Sequence, residues 1–458
     1  MFAAKQGFYY KAVLGPVSSP YWVAVFDDFG PAGIDVGNNG GPLGNQDFCI
    51  VVGSDHLNGG SKRGNILRLD KYGNVVYEQK LDGAVNNLNK VITDGNQFAH
   101  VIGDTNENGT ARPYVANFDN TGTLVWEKYI DNVTNGDFFD ISYQDTASNG
   151  FNNIVVGRSN STSISQYMAF GTYAAGTPGQ LYDQERNTNT QFLYSIAKDL
   201  TSSSGSVFAA GVDTSSSTDD IKLIKIDNSY TPTNGVSISD GSVNLQKPSV
   251  QWQSNRIILS TRYAAGTYAG EPNILVFDNA LSSTISQSRL GGGISTNGLL
   301  FASKQNDLFY ATATQTNNTV WYGIFDYDGT SILEQYNFYF GTAGSDNTTV
   351  TDIAYSTGVS EPSVYIIGTT DYYGTQKGFV AKLPIYGAVP GSGTYGASGE
   401  IHLTTSSYMS ITTSSLTVTS LSPTNASTGF SDSASTLTQS TSTNTFTLNE
   451  VPWSWNSV

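Results

Sequence analysis

Short runs of apolar and β-branched residues, each closed by glycine or by an aspartate turn, divide the chain into extended segments. The stretch Cys49 to Lys80, CIVVGSDHLNGGSKRGNILRLDKYGNVVYEQK, sets the pattern. Ile50, Val51 and Val52 form a continuous apolar run that Gly53 is expected to close, which suits a strand covered on both faces. Ile66, Leu67 and Leu69 lead into Asp70, whose side chain is placed to accept backbone N–H bonds across a turn that Gly73 completes at positive φ. Val75 to Lys80 then resumes a half-buried alternation.

Weakened copies of this unit recur along the chain. The glycine landmark falls at Gly53, Gly103, Gly157, Gly211 and Gly368, with Ser260 and Thr312 standing in for two copies. Six steps separate Gly53 from Gly368, a period of about 52 residues, in the range of propellers and other arrays. The turn landmark keeps the same beat at Asp70, Asp119, Asp227, Asp278 and Asp326, with degenerate members at Gly171 and Pro384. A further strand fits upstream of each glycine strand, at Lys90 to Thr93, Phe139 to Tyr143, Leu193 to Ala197, Ser249 to Trp252, Leu299 to Ala302 and Thr351 to Tyr355. Four short antiparallel strands per repeat predict an all-β fold, a β-propeller of seven blades, or of eight, with an extended β-rich C-terminal tail. The coils of a parallel β-helix are shorter than this repeat, and no stretch holds the i, i+3, i+4, i+7 spacing of a helical solenoid.

The repeats divide the chain into four parts. Residues 1–40 supply N-terminal closing strands or an arm, with Tyr21 to Gly30 matching the Asp-turn strand; 41–387 carry the repeats; 388–399 form a Gly/Ser/Pro linker; and 400–458 form a Ser/Thr-rich assembly tail. Sparse apolar residues leave the tail unable to bury enough surface alone, so it is expected to fold against other chains, with Trp453 and Trp455 as anchors.

Composition supports β-structure: 48 Gly, 27 Tyr and 22 Phe accompany only 13% charged residues. A net charge of −16 with scattered Lys and Arg disfavours nucleic acid and anionic membranes. No signal peptide or membrane span is visible, and the lone Cys49 sits inside an apolar strand, which favours synthesis in a reducing cytoplasm.

Chemistry is sparse. His56, His100 and His402 are scattered, with no HExxH and no paired cysteine, so no metal and no cofactor are expected. Asp326 with Asp328, and Asp104 with Asn106 and Asn108, offer oxygen ligands but not a full calcium loop. A sialidase-like site would require Arg63, Arg112, Arg158 and Arg262 to converge, and Phe118 to Trp126 resembles an Asp-box without its serine, since Asn117 and Phe118 stand in the preceding positions. A β-turn capped by Asp explains that segment. Tyr263, Tyr268, Tyr372 and Tyr373 fall in segments read as variable loops, where they form a candidate surface for a host glycan or a protein partner.

The repeat unit resembles those of bacterial and viral seven-bladed propellers. The tail segments SLTVTSLSPTNAST (415–428) and SASTLTQSTSTNT (433–445) resemble C-terminal stretches of virion structural proteins from marine tailed phages, notably cyanophages. That resemblance implies a non-enzymatic tail, baseplate or fibre-associated component, assembled in the host cytoplasm into the virion, with other virion proteins as partners in a homo- or hetero-oligomer. A carbohydrate-binding propeller and a glycoside-acting enzyme are the alternatives.

Overall fold

The protein is seen in a computed structural model that describes residues 21–38, 47–55, 62–82, 85–93, 97–106, 109–130, 136–146, 150–159, 167–173, 181–185, 191–199, 206–214, 217–227, 232–295, 298–302, 308–356, 363–384, 393–395, 400–421, 432–434, 438–441 and 446–450. It is an all-β propeller of four-stranded antiparallel blades, without helix among the described residues. The strands divide among seven sheets. Their inner strands are, in order, Phe29–Asn38, Val85–Thr93, Gly136–Thr146, Gln191–Lys198, Leu245–Gln253, Leu300–Ala302 and Thr348–Ser356. Each packs against the next, and the last packs against the first.

The core lies between sheets. Trp22–Phe26 shows how one strand serves two interfaces: Val23 and Val25 pack towards the sixth sheet with Tyr322 and Phe338, while Trp22, Ala24 and Phe26 pack towards the first with Cys49 and Leu67. This strand pairs with Lys377–Pro384 as the fourth strand of the seventh sheet, so residues near the two ends of the chain share one sheet. Phe29–Asn38 departs from the expected division at residue 40, because it is the inner strand of the first sheet. Gly393–Tyr395, within the expected linker, pairs with Ile401–Thr405.

Both repeating landmarks have a structural cause. The glycine does not end its strand: Asp47–Asp55 runs past Gly53. Instead it faces a bulge in the inner strand, where the register shifts between Pro31 and Gly33, Leu88 and Lys90, Phe138 and Asp140, Leu193 and Ser195, and Val350 and Asp352. The bulge drives a carbonyl into the space a side chain would need. A Cβ at Gly53 would lie 2.0 Å from Gly30 O, one at Gly103 2.0 Å from Asn87 O and one at Gly368 1.8 Å from Thr349 O. The aspartate turn behaves as its sequence suggests. Asp70 Oδ1 accepts the N–H groups of Tyr72 and Asn74, Asp119 Oδ1 those of Thr121 and Thr123, and Gly73 and Gly122 both adopt φ 83°.

The turn also ties its sheet to the preceding one. Trp22 Nε1 donates to Lys71 O, Arg68 to Asn120 O, Lys225 to Asn279 O and Ser286 to Asp328 O.

The C-terminal region overturns an expectation. Its described strands pair with the sheets of their own disc, where the sequence pointed to other chains. Ile401–Thr405 pairs with the outer strand of the sixth sheet, Ser410–Thr413 with that of the fifth and Thr417–Leu421 with that of the fourth. Asp432–Ala434 then pairs on the second sheet, Thr438–Thr441 on the first and Phe446–Glu450 on Trp22–Phe26 of the seventh. These strands form a belt that runs against the order of the sheets. The physical reason is local supply: each outer strand presents unpaired N–H and C=O groups, and a tethered Ser/Thr-rich segment of high β propensity satisfies them.

Side chains seat the belt where they are described. Ile401 and Leu403 enter the core between the sixth and seventh sheets, Met409 that between the fifth and sixth, and Leu416 that between the fourth and fifth. The Gln335 amide holds Met409 at both backbone groups, at 3.0 Å each. Ser414 donates to Asn273 at 2.8 Å. Trp453 and Trp455, expected as anchors, lie outside the described residues.

Candidate functional site

The inner strands of all seven sheets line a central cavity of about 420 Å³. Three of its charged residues, Lys90, Asp140 and Asp352, occupy positions set by the bulges. Just beyond the bulge the sheets present Gly33, Lys90, Asp140, Ser195, Ser249 and Asp352. Gly33 leaves room for the neighbouring strand, since a Cβ there would lie 2.6 Å from Lys90 Cα. Across that gap Lys90 Nζ reaches past the first sheet to Asp352 Oδ1 of the seventh, at 2.6 Å.

These groups bond across the sheet boundaries. Asp352 Oδ2 accepts Ile34 N–H at 2.9 Å, and Asp35 Oδ2 accepts both the N–H and the hydroxyl of Thr93. Asn89 Nδ2 donates to Phe138 O, while Asp140 Oδ2 accepts Ile196 N–H and the Ser195 hydroxyl. Ser195 Oγ accepts Val250 N–H, Ser260 donates to Leu299 O, and Thr314 Oγ1 accepts Val350 N–H. Each pair of neighbouring sheets is thus joined near the channel by a side chain bonded to backbone. Burial opposes the Lys90 charge, but Asp352 and Asp140 outweigh it and raise its pKa. Burial pushes the Asp140 carboxyl up, against the pull of Lys90 and the Ile196 N–H.

No arginine is among the described residues that line the cavity. Arg63 donates its backbone N–H to Asp55, Arg112 lies over Tyr129 at 5.5 Å, and Arg262 bonds Ser295 O at 2.9 Å. These belong to the first, second and fifth sheets, and the side chain of Arg158 lies outside the described residues. Among the described residues no group of three or more His, Cys, Asp or Glu is placed to hold a metal. Asp326 and Asp328 both accept the Thr330 hydroxyl within their turn. Asp104 accepts Asn87 Nδ2, Asn106 O accepts Gly109 N–H, and Asn108 is outside the described residues. His100 is fully buried beside Asn117, and His402 stacks on Tyr339 at 4.7 Å; His56 is outside the described residues.

The four tyrosines do not make one surface. Tyr263 is no loop residue: it ends the strand Arg256–Tyr263 and is 1% exposed, because it faces the core between the fourth and fifth sheets. Tyr268 is exposed, with the Arg289 guanidinium 3.5 Å over its ring. Tyr372 and Tyr373 stand on the seventh sheet in edge contact at 5.0 Å, half-buried against the core. Lys377 Nζ lies 4.7 Å over Tyr373 and pairs with Asp27 at 2.7 Å. Burial and then Glu400 raise the Tyr373 hydroxyl pKa.

The channel residues Asp35, Lys90, Asp140 and Asp352 were not singled out by the sequence reading. A usable signal existed: a polar residue directly before an aliphatic one recurs in Lys90-Val91, Asp140-Ile141, Ser195-Ile196, Ser249-Val250 and Asp352-Ile353.

No protein-family model matches the chain, and no curated protein matches it. Among solved structures, it is similar to a subtype N11 neuraminidase-like protein of A/flat-faced bat/Peru/033/2010 (H18N11), at 10% identity over 64% of this chain and 86% of that one, with a TM-score of 0.41. It is also similar to a subtype N10 neuraminidase-like protein of A/little yellow-shouldered bat/Guatemala/060/2010, at 8% identity over 78% of this chain and 99% of that one, with a TM-score of 0.36.

Proposed function

We propose that the chain is a non-enzymatic propeller that acts as a rigid structural disc within a larger assembly, one blade for each of its seven sheets. The observation that carries this reading is the use of the channel's polar groups. Asp35, Asp140 and Asp352 each bond the backbone of a neighbouring inner strand and Lys90 reaches across the first sheet to Asp352, which engages all four groups in joining sheets and stiffens the ring. The assembly proposed is a virion of the tailed-phage kind, in which the disc contacts other structural proteins; its support is the tail's sequence likeness. With the tail paired to its own sheets, such contacts fall to the faces and rim of the disc.

Two measurements test the proposal. Purified disc should show no turnover of sialosides or other aryl glycosides, and a mass-spectrometric inventory of particles from cells that make the protein should contain it in fixed stoichiometry. Turnover abolished by Asp140→Asn would replace the structural reading with an enzymatic one. A protein absent from particles, and captured on a glycan array through Tyr372 and Tyr373, would replace it with carbohydrate recognition.

A further inference from the structure

We propose that the end of the belt is a lock on the ring, and that Phe446–Glu450 holds the propeller shut at the boundary between its seventh and first sheets. This follows from the fold alone and does not depend on the proposed role.

Trp22–Phe26 is the strand that closes the ring. It comes from near the start of the chain, yet it completes a sheet built from Thr348–Ser356, Ser363–Thr370 and Lys377–Pro384. In a four-stranded sheet it would be the outermost strand, free to peel away along one edge. Here both of its edges are occupied. Trp22, Val23, Ala24, Val25 and Phe26 pair with Lys382, Ala381, Val380, Phe379 and Gly378 on one side. The same five residues pair with Glu450, Asn449, Leu448, Thr447 and Phe446 on the other. The strand therefore sits between two C-terminal strands, and it cannot leave without breaking one ladder along each edge.

The second flank is itself restrained. The belt that ends in Phe446–Glu450 is already paired to the outer strands of the sixth, fifth, fourth, second and first sheets. Its described side chains are seated between sheets at Met409 and Leu416. A tethered strand returns to its place far faster than a free peptide would, since the earlier belt strands keep it close.

The chain carries its own reporter for this boundary. Cys49, its single cysteine, is fully buried in the cluster that joins the first and seventh sheets, with Trp22, Ala24, Tyr365 and Val380. Burial raises the thiol pKa far above its usual value, so the closed form is inert and labelling requires the boundary to open. The rate at which a soluble thiol reagent modifies native protein under mild denaturant then measures opening at the closing strand.

The test compares three proteins: the full chain, a chain ending at residue 445, and a full chain carrying Thr419→Pro. The proline removes a backbone donor from the belt strand that pairs with Ser237 on the fourth sheet, far from the boundary. Loss of residues 446–458 should accelerate Cys49 labelling about ten-fold or more, while Thr419→Pro leaves it near the rate of the full chain. Unchanged labelling in the shortened chain, or equal acceleration in both variants, would overturn the lock. If the shortened chain does not fold, hydrogen exchange on the full chain decides: amides of Trp22–Phe26 and Phe446–Glu450 should open as one unit. Fast exchange of Phe446–Glu450 beside a still-protected Trp22–Phe26 would refute the proposal.

Discussion

Lys90 shows how one residue shapes the channel. It is about a quarter exposed, its partner Asp352 is nearly buried, and Asp140 adds a second carboxylate to its field. Replacing Lys90 with Met removes the cation and leaves Asp352 bonded only to Ile34 N–H. We expect a loss of about 2–3 kcal/mol at neutral pH, below the range for a fully buried pair because Lys90 reaches solvent. The sign of the pH dependence follows from the shifts. A lysine whose folded pKa is raised contributes stability that is complete below its ordinary value of 10.5 and is lost as pH rises through the folded value. Asp140 is raised as well, so its contribution is complete below the ordinary carboxylate pKa and declines as pH rises through its folded one. In Lys90→Met the Asp140 carboxyl loses the cation that lowers its pKa and binds a proton more readily still, and the deficit should shrink as pH is lowered from 7 towards 4. Denaturant unfolding of both proteins across that range checks this, and a deficit independent of pH would mean that Lys90 acts through packing alone. Asp119 has the opposite sign. A slight burial raises its pKa, but hydrogen bonds from Thr121, Thr123 and Gly122 outweigh it, so its contribution is lost as pH falls through the lowered value.

At the scale of the element, a strand glycine and a turn glycine carry different loads. Gly103 faces the bulge at Asn87 and Leu88, and a methyl group there meets a carbonyl oxygen fixed by the ladder. Gly103→Ala should cost about 3 kcal/mol or more, since backbone must move. Gly374, at φ 81° in an open turn, meets nothing within 4 Å, and Gly374→Ala should cost only about 1 kcal/mol. Equal melting losses for the two would contradict the bulge argument. The same contrast explains what the sequence made legible. Aspartate turns could be read because the capping bonds are local, within four residues of Asp70 or Asp119. Six of the seven inner strands were found because their apolar steps survive the bulge, whereas Phe29–Asn38, interrupted by Gly30, Pro31, Gly33 and Gly37, was not. The glycine's position could be seen but not its reason, because its partner carbonyl belongs to another strand. Tyr263 looked like a loop residue because the strand before it ends in polar Thr261 and Arg262, whereas the ring turns inward beside Leu245 and Leu416. The belt was legible as β-prone, yet nothing in a Ser/Thr strand names the edge it joins, since backbone pairing reads no side chain.

Across the whole molecule, belt and ring are interdependent. A propeller of four-stranded sheets exposes the outer edge of every sheet, and edges of that kind template association. Here described belt strands cover part of five outer strands, beyond the bulge in each, as at Gln79–Asp82 and Lys128–Ile130, and the whole of the unbulged Trp22–Phe26. The net charge of −16 also keeps copies apart. A chain ending at residue 399 loses this cover, together with the apolar seats of Ile401, Leu403, Met409 and Leu416. Two effects then compete. Charge repulsion acts over about 8 Å at physiological salt, whereas strand pairing acts at contact and gains from the newly exposed apolar clefts. Added salt should tip that balance towards association. We therefore expect the full chain to sediment as one species across a range of concentration and salt, and the shortened chain to form larger species that increase with both. A shortened chain that sediments as a single folded disc in high salt would show that the bulged outer strands protect themselves, and that the belt acts only on ring closure.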